Sequence, residues 1–222
     1  MTFHSPVSGA PTSASRNTIL HGDCVTLMET FPNNSVDFIL TDPPYLVNYR
    51  PRNGQRVAND NGNEWLQPAA NGMYRVLKPD AFCVSFYGWT QADQFIAAWR
   101  NAGFRPVGHI VFRKGYASST GYLRGHHEMA YLLAKGRPPK PARPIGDVIE
   151  FAYTGNRLHP TQKPIEALRP LIECFTQAGD LVFDPFLGSG STLVAAAQLG
   201  REWLGIELDE AHHRTAQERL RT

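Results

Sequence analysis

Short apolar runs alternate with helical patterns along almost the whole chain. The run VDFIL at 36–40 is rich in β-branched, aromatic and aliphatic residues and is bounded by turn residues, as a short buried strand is. Segment 63–78 instead places its apolar residues at helical spacing. This alternation predicts an α/β fold. The predicted strands are 18–22, 36–40, 81–87, 106–112, 128–134, 181–184 and 203–208, and the predicted helices are 63–78, 91–101, 165–177 and 191–199.

The composition limits the class of protein. With 222 residues and 42% hydrophobic residues, the chain fits one domain of ordinary size. Three cysteines without metal-ligand spacing favour a reducing compartment, so we expect a cytoplasmic protein. Residues 1–17 lack the apolar core of a signal peptide and predict a disordered leader, and no run reaches the ~18 apolar residues of a membrane span.

Neither the net charge nor the spacing of the histidines indicates a particular ligand or partner. A net charge of +2 is too small to indicate a nucleic-acid partner by itself. The histidines at 126 and 127, and those at 212 and 213, are adjacent pairs without the spacing of a ligand set, so we expect no metal centre.

The segment TDPPY at 41–45 directly follows the strand predicted at 36–40. Pro43 and Pro44 cannot donate backbone hydrogen bonds, and they stiffen the chain as it leaves the sheet. The carboxylate of Asp42 and the carbonyl of Pro43 could together accept two N–H bonds from a planar amino group, while Tyr45 offers a flat face for stacking. The tetrapeptide therefore suits a nucleobase amine, and it equally suits an ordinary strand-to-loop turn.

A second motif, LVFDPFLGSGST at 181–192, joins a predicted strand to a helix of small residues. Its glycines, Gly188 and Gly190, let a ligand approach the backbone where open α/β sheets bind nucleotide-like cofactors. The spacing differs from the GxGxxG dinucleotide fingerprint. Glu207, near the end of the next predicted strand, is placed to hold ribose hydroxyls, or else it is a solvated or helix-capping acid.

Four motifs resemble those of the amino-methylating DNA methyltransferases that use S-adenosylmethionine. They are GDC at 22–24, TDPPY at 41–45, HPTQKP at 159–164 and DPFLGSGST at 184–192. Because DPPY precedes the cofactor motif, the order resembles the β arrangement of that family. The resemblance extends from about Thr18 to the C-terminus.

The resemblance implies a Rossmann-like, circularly permuted methyltransferase sheet of seven strands. It also implies a single catalytic domain over 18–222, with a small target-recognition region at about 135–158. The cofactor half of the site is then encoded last in the chain, and the half that binds the target base is encoded first.

The resemblance further implies which residues form the site. The DPPY residues would be catalytic, and Tyr45 would stack on an extruded base through its ring and hardly through its hydroxyl. Phe86 and Tyr87 could form the other wall, although a core role is the alternative for one of them. His159 is equally well explained as a packed or solvent-facing histidine. The expected catalytic residues are Asp42, Pro43, Pro44 and Tyr45. The expected S-adenosyl-L-methionine contacts are Asp23, Cys24, His159, Thr161, Lys163, Asp184, Phe186, Gly188, Gly190, Thr192 and Glu207.

Two basic loops, 46–62 and 135–147, fall outside the alternation of strands and helices. Both are rich in Pro, Gly or Asn, as surface loops are. Their lysines and arginines are candidates for phosphate contacts with double-stranded DNA, although any one of them is equally explained as an ordinary solubilising charge. The candidate DNA contacts are Arg50, Arg52, Arg56, Lys135, Arg137, Lys140 and Arg143.

The expected activity is direct transfer of a methyl group from S-adenosylmethionine to the exocyclic amine of a flipped adenine in DNA. An Asp before PPY is similar to adenine enzymes, whereas a Ser there resembles N4-cytosine enzymes, which stay an alternative. Further alternatives are a methyltransferase for RNA bases or a glutamine amide, whose families generally place the cofactor motif first, and a catalytically silent DNA-binding or cofactor-sensing relative. A homodimer and a cognate restriction endonuclease are open possibilities as partners.

Overall fold

The computed structural model describes residues 15–47, 62–117, 122–153 and 162–221. Its strands are β1 (Thr18–His21), β2 (Val36–Thr41), β3 (Leu77–Tyr87), β4 (Arg105–Lys114), β5 (His127–Lys135), β6 (Val148–Phe151), β7 (Leu181–Asp184) and β8 (Glu202–Glu207). Its α-helices are α1 (Cys24–Glu29), α2 (Leu66–Val76), α3 (Ala92–Ala102), α4 (Ile165–Phe175), α5 (Ser191–Gln198) and α6 (Glu210–Leu220).

The strands form one sheet in the order β1-β8-β7-β2-β3-β5-β4-β6. Strand β5 is antiparallel to both of its neighbours, β3 and β4, and every other pairing in this sheet is parallel. Seven strands therefore end at the same edge of the sheet, where β5 begins. We call this the carboxyl edge, and the other one the opposite edge. Ligands of open α/β sheets bind outside the carboxyl ends of the strands.

The side chains of β2 alternate between two cores, one on each face of the sheet. Ile39 belongs to a core closed by α1, α2 and α3, whereas Phe38 and Leu40 belong to a core closed by α4 and α5. A strand buried on both faces must be apolar at nearly every position, which explains why the run at 36–40 is continuous rather than alternating. The sheet is thus the middle layer of three.

The structure confirms the α/β fold and all seven predicted strands, with ends that move by a few residues. It also confirms the four predicted helices as α2, α3, α4 and α5. The expected strand number is wrong, because β6 adds an eighth strand within the region that the sequence assigned to target recognition. Helices α1 and α6 were missed: α1 has six residues, too few for a periodic pattern, and α6 is polar, with Ala216 as its buried residue.

The expected disordered leader is only partly described. Residues 1–14 lie outside the described residues. Asn17, however, donates its backbone N–H to Trp203 O at 2.7 Å, and Arg16 pairs with Glu202. The prediction is therefore wrong for these two residues, since both contact β8. Within the described ranges, the helices are too short or too polar to cross a membrane.

Candidate active site

The two central motifs meet at the carboxyl edge because β2 and β7 are neighbours. Phe38 pairs with Val182 and Ile39 with Phe183, so the two strands end side by side. At their ends, Thr41 Oγ1 donates a 2.8 Å hydrogen bond to Asp184 Oδ1. This buried bond fixes the DPPY loop relative to the Gly-rich turn.

Asp184 organises the turn that follows β7. Its Oδ1 also accepts the backbone N–H of Phe186 at 3.1 Å, and its carboxylate accepts a bond from Thr192 in α5. Burial raises the pKa of Asp184 to about 7, although the bonds from Thr192, Thr41 and Phe186 act against that rise. Asp184 and Thr192 thus fix the shape of the turn through their hydrogen bonds.

The Gly-rich turn depends on Gly190 for both its backbone and its packing. Gly190 has φ +85°, and a Cβ at this position would lie 3.1 Å from Ala216 Cβ of α6. Helix α5 begins at the next residue, so its first N–H groups lie at the carboxyl edge. Phe186 lies half-buried in the same turn, edge-on to Trp65 with ring centroids 5.0 Å apart.

Two acidic residues complete this half of the site, at the ends of β1 and β8. Glu207 Oε2 accepts the N–H of Gly188 at 2.7 Å, and its Oε1 accepts the N–H of Asp209. Asp23 caps α1, because its Oδ1 accepts the N–H of Thr26 at 3.0 Å. Burial raises the pKa of Glu207. Both acids therefore hold the backbone as well as facing the carboxyl edge.

Cys24 does not fit the role of a side-chain contact for a cofactor. It is the first residue of α1, and its side chain is buried in the core beside α2 and α3. Burial raises the pKa of its thiol to about 12, so the thiol stays neutral. The side chain of Cys24 is thus a core side chain next to the end of β1, and the cofactor contact expected of this residue stays a prediction.

The half of the site at the DPPY loop is a cluster of largely buried charges around Asp42. Its Oδ1 accepts a 2.7 Å hydrogen bond from the hydroxyl of Tyr45, and its Oδ2 pairs with Lys163 Nζ. The same ammonium lies 3.2 Å from Glu128 Oε2 and 4.8 Å from the ring centroid of Phe86. Burial alone would lower the pKa of Lys163, but Asp42 and Glu128 raise it, so the lysine is charged.

Lys163 was expected at the cofactor, and its ammonium lies at Asp42 instead. The HPTQKP motif therefore contributes its lysine to the charge cluster at Asp42, shortly before α4 begins. The hydroxyl of Tyr45 also bonds Asp42, which differs from the expectation that this tyrosine acts through its ring and hardly through its hydroxyl. Close packing seats this tyrosine, since a Cβ on Gly88 would lie 2.9 Å from Tyr45 Cβ.

Sequence reasoning missed two members of the cluster, Glu128 and Lys114. They pair with each other, and Lys114 Nζ also lies 5.3 Å from the ring centroid of Phe151. Burial would raise the pKa of Glu128, but Lys163 and Lys114 outweigh it and hold this pKa below its usual range. Charged residues at the end of β4 and the start of β5 were the available signal, but only the pairing of these strands brings them to Asp42.

A small open cavity of about 150 Å³ lies beside Tyr45. Tyr87 contributes to its wall and stacks on Tyr131 at 4.2 Å, whereas Phe86 is buried and stacks on Phe112. Both candidates for the second wall belong to the core, and Tyr87 is the one that also lines the cavity. The cavity is lined by Tyr45, Val47, Tyr87, Gly88, Trp89, Thr90, His127, Glu128 and Met129.

Comparison with known proteins identifies the family. Residues 36–152 and 147–218 match the N6 and N4 methyltransferase family described as DNA methylase. The chain belongs to this DNA methylase family. It is 60% identical to the Escherichia coli K12 protein named "Putative methylase YubD" over 201 residues, which cover 90% of this methylase and 88% of that protein.

More distant relatives share the fold of this methylase. The type II methyltransferase M.HinfI of Haemophilus influenzae is 24% identical over 252 residues, 92% of this chain and 68% of that protein. The M1.HpyAVI–SAM complex superposes with a TM-score of 0.74 at 24% identity, over 92% of this chain and 98% of that one. PvuII DNA methyltransferase, cytosine-N4-specific, gives 0.75 at 18% identity, over 93% and 87%. At such identities the likeness shows the fold.

The second basic loop of the methylase lies away from this site. Lys135 ends β5 at the opposite edge, where its ammonium donates to Asn34 Oδ1, Tyr74 O and Leu77 O at 2.6–2.8 Å. Lys135 therefore stabilises neighbouring loops, and the prediction that it contacts DNA is corrected.

The following residues of this loop begin at the opposite edge as well. The N–H of Arg137 donates to Asp80 Oδ1 at 2.6 Å, and Arg143 O accepts the thiol of Cys174 near the end of α4. Lys140, between them, is exposed. A DNA duplex bound at Asp42 would face the other end of the sheet. The remaining predicted site residues, His159, Thr161, Arg50, Arg52 and Arg56, lie outside the described residues.

Proposed function

We propose that this methylase transfers a methyl group from S-adenosyl-L-methionine to the exocyclic amine of adenine in double-stranded DNA. The observation that carries the proposal is the 2.8 Å bond from Thr41 to Asp184, which holds the DPPY loop beside the Gly-rich turn. An acceptor for an amine and a turn suited to a nucleotide-like cofactor then open at one point of the carboxyl edge. Transfer between two substrates requires that proximity.

The donors and acceptors at the ends of β1, β7 and β8 fit S-adenosyl-L-methionine. Asp23 and Glu207 present carboxylates of the kind that accept amine and ribose hydroxyl hydrogens. Phe186 offers an apolar face, and the start of α5 offers N–H groups. When bound, the cofactor supplies a methyl group activated by its sulfonium. His159 and Thr161 are proposed to hold its carboxylate.

The chain's own contribution to the reaction is orientation of the amine. A base amine is a poor nucleophile, because its lone pair is delocalised into the ring. Asp42 and the carbonyl of Pro43 accept its two hydrogens, which favours a pyramidal nitrogen whose lone pair points at the cofactor side. The stiff Pro43–Pro44 segment keeps both acceptors fixed.

The proton released in the reaction leaves through the same residue. As the new N–C bond forms, the nitrogen becomes positive and acidic, so Asp42 does not have to remove a proton beforehand. Burial raises the pKa of Asp42, and the Lys163 ammonium limits that rise, which leaves a carboxylate that can take the proton after transfer.

The target base has to leave the duplex to reach Asp42. The cavity beside Tyr45 is the candidate place, since it has aromatic walls and is lined by Tyr45, whose hydroxyl bonds Asp42. We propose that the ring of Tyr45 stacks on the extruded base, while its hydroxyl holds Asp42.

Adenine is preferred as the target because an Asp precedes PPY, as in the adenine enzymes that the motif resembles. N4-cytosine is the second candidate, because the family that the chain matches includes both N6 and N4 methyltransferases. Both bases present an amine next to a ring nitrogen, so the acceptor pair at Asp42 suits either.

Expression in a host without DNA methylation tests the function. DNA and RNA from the same cells are digested to nucleosides and separated by mass spectrometry, with the Asp42→Ala variant as the background. We expect N6-methyladenine in DNA. N4-methylcytosine instead would establish the second candidate, and methylated bases confined to RNA, or absent, would overturn the proposal.

The proposed contacts with the DNA backbone are Arg50, Arg52 and Arg56, which follow the DPPY loop in the sequence. Removing each should reduce the salt dependence of DNA binding by about one unit of slope. The single catalytic domain over 18–222, the cytoplasmic location, a homodimer and a cognate restriction endonuclease stay predictions.

A further inference from the structure

Four charged side chains, two of them buried and two partly buried, form a chain of contacts around Asp42. Lys114 pairs with Glu128 Oε1, Glu128 Oε2 lies 3.2 Å from Lys163 Nζ, and Lys163 pairs with Asp42 Oδ2. The signs alternate along this chain. The exposed fractions of the four side chains, in the same order, are 5%, 22%, 6% and 19%. Two of these charges, Lys114 and Glu128, have no task in the transfer described above.

The ammonium of Lys163 has two carboxylates within reach. Its contact with Asp42 occupies an oxygen of the group that has to accept the target amine. If Asp42 were its sole counter-charge, releasing that oxygen would leave a buried, unpaired cation, which is costly. Glu128 removes that cost, because its Oε2 already lies 3.2 Å from the ammonium.

The hydroxyl of Tyr45 links the same two carboxylates. It donates to Asp42 Oδ1 at 2.7 Å and lies 3.5 Å from Glu128 Oε2 and 3.3 Å from Lys163 Nζ. Asp42 and Glu128 therefore share both of their buried neighbours. A small shift of the Lys163 ammonium or of the Tyr45 hydroxyl would therefore move its contact from one of these carboxylates to the other.

We propose that Glu128 is a positioning residue, which holds the ammonium of Lys163 while Asp42 turns its carboxylate to the target amine. Lys114 keeps Glu128 charged for this task through its own contact with Oε1. The inference rests on the proposed methyl transfer and adds to it a residue outside the four motifs. Glu128 acts through Lys163, without a contact of its own with the amine.

The competing explanation is that Glu128 merely balances the charge of Lys114. A double variant separates the two explanations. Glu128→Gln alone leaves two buried lysines, Lys114 and Lys163, with Asp42 as the remaining carboxylate of the chain of contacts, whereas Glu128→Gln with Lys114→Met restores the balance of one cation and one anion. Methionine has a suitable volume and flexibility for the space left by the lysine stem.

The experiment uses the full chain, tritiated S-adenosyl-L-methionine and unmethylated genomic DNA. It measures kcat, KM for DNA, cofactor affinity by calorimetry and the thermal unfolding midpoint. In the double variant we expect the midpoint, the KM and the cofactor affinity of the wild type but a kcat lower by about 10²-fold, because the ammonium stays on Asp42. Glu150→Gln is the matched control, since Glu150 is an exposed glutamate paired with Arg113 at the same edge.

The outcomes distinguish a failure of the positioning role of Glu128 from a failure of the proposed methyl transfer. A double variant with the kcat of the wild type would overturn the positioning role and leave Glu128 as a charge-balancing residue. An unchanged kcat in Glu128→Gln would do the same. A wild-type protein that transfers no methyl group to DNA would overturn the proposed function together with this inference, whereas an active wild type with either of the former results overturns the inference alone.

Discussion

Strand β2 carries an aspartate paired with a lysine near each of its ends. At the opposite edge, Asp37 Oδ1 lies 2.5 Å from Lys78 Nζ, with exposed fractions of 18% and 42%. At the carboxyl edge, Asp42 pairs with Lys163, with exposed fractions of 19% and 6%. Lys78 keeps contact with water, whereas Lys163 is enclosed and has Glu128 as a second carboxylate.

The difference shows what each pair is built to do. An ion pair whose lysine is open to solvent contributes about 0–1 kcal/mol to stability. A buried pair is costly to form and costly to break, so it is weak evidence of a stabilising role. The pair at Asp42 therefore fits the proposed function better than a purely stabilising role, while the pair at Asp37 joins β2 to β7 through a further bond from the N–H of Leu181 to Asp37 Oδ2.

The largest expected effect comes from removing each lysine in turn. Lys163→Met should lower the free energy of unfolding by about 3–5 kcal/mol, because it leaves Asp42 and Glu128 without their shared counter-charge. Lys78→Met should cost about 0–1 kcal/mol. Urea unfolding of both variants measures the difference.

The loss in Lys163→Met should also depend on pH. Without the ammonium the pKa of Asp42, already raised by burial, rises further. The folded variant then binds a proton more tightly than the unfolded chain, so the loss is small at pH values below the ordinary carboxyl pKa and grows as pH rises through the raised pKa. Equal losses in the two lysine variants, at every pH, would contradict the distinction between the pairs.

The second prediction compares the two aspartates. Asp42→Ala should lower kcat by about 10²–10³-fold, because it removes an oriented acceptor from the reacting amine, and it should bind S-adenosyl-L-methionine nearly normally. Asp37→Ala should lose stability through the bonds to Lys78 and Leu181 but keep kcat. Methyl transfer and calorimetry on both variants distinguish these effects. Normal turnover in Asp42→Ala together with lost cofactor affinity would place Asp42 in the cofactor site instead.

The third prediction concerns the hydroxyl of Tyr45, which donates a hydrogen bond to Asp42 of the carboxyl-edge pair. Tyr45→Phe removes the 2.7 Å bond to Asp42 but keeps the ring, and we expect a loss of roughly 10–100-fold in kcat, as a hydrogen bond to a charged group is worth about 1.5–3 kcal/mol. Tyr45→Ala should lose a further 1–3 kcal/mol, roughly, of base stacking. Steady-state rates on DNA with a paired and with a mismatched target base test this.

The mismatched substrate separates the ring from the hydroxyl. It should partly rescue Tyr45→Ala, because extruding an unpaired base costs less. It should leave the loss in Tyr45→Phe unchanged, since the hydroxyl acts on Asp42. Rescue of both variants to the same extent would contradict the separate roles given to the ring and the hydroxyl of Tyr45.

The smallest effect is expected at the opposite edge. Replacing Arg137, Lys140 and Arg143 together by alanine should leave DNA affinity and its salt dependence unchanged, because this loop begins at the edge away from Asp42. The same replacement of Arg50, Arg52 and Arg56 should flatten the salt dependence. A flatter slope in the first variant would mean that DNA reaches both ends of the sheet.

The sequence predicted elements better than it predicted contacts. Strands such as β2 and β7 were predictable because burial on both faces leaves a continuous apolar run. The DPPY and Gly-rich motifs were found as local strings, and their meeting at Thr41 and Asp184 follows from strands 143 residues apart pairing side by side. The α/β pattern made that meeting foreseeable.

The charge cluster could not be foreseen in the same way. Glu128 and Lys114 reach Asp42 because β5 is antiparallel to both β3 and β4, so that its first residues lie where the other strands end. A single sequence carries no signal for that reversal. Lys135 is a residue that the sequence assigned to the wrong surroundings. It lies in a Pro-rich basic stretch and was expected to be exposed, but its ammonium bonds three neutral oxygens.

The pairing of β1 with β8 has a consequence for how the chain is made. Strand β1 spans Thr18–His21, and its one neighbour in the sheet is β8, Glu202–Glu207, so a ribosome must add some 180 residues before this strand can find its partner. Until then β1 and the facing side of β7 both present unpaired backbone to the cell. Synthesis that stalls before β8 should therefore yield a nascent chain prone to aggregation and dependent on chaperones, even though the strands β2 to β5 are already complete.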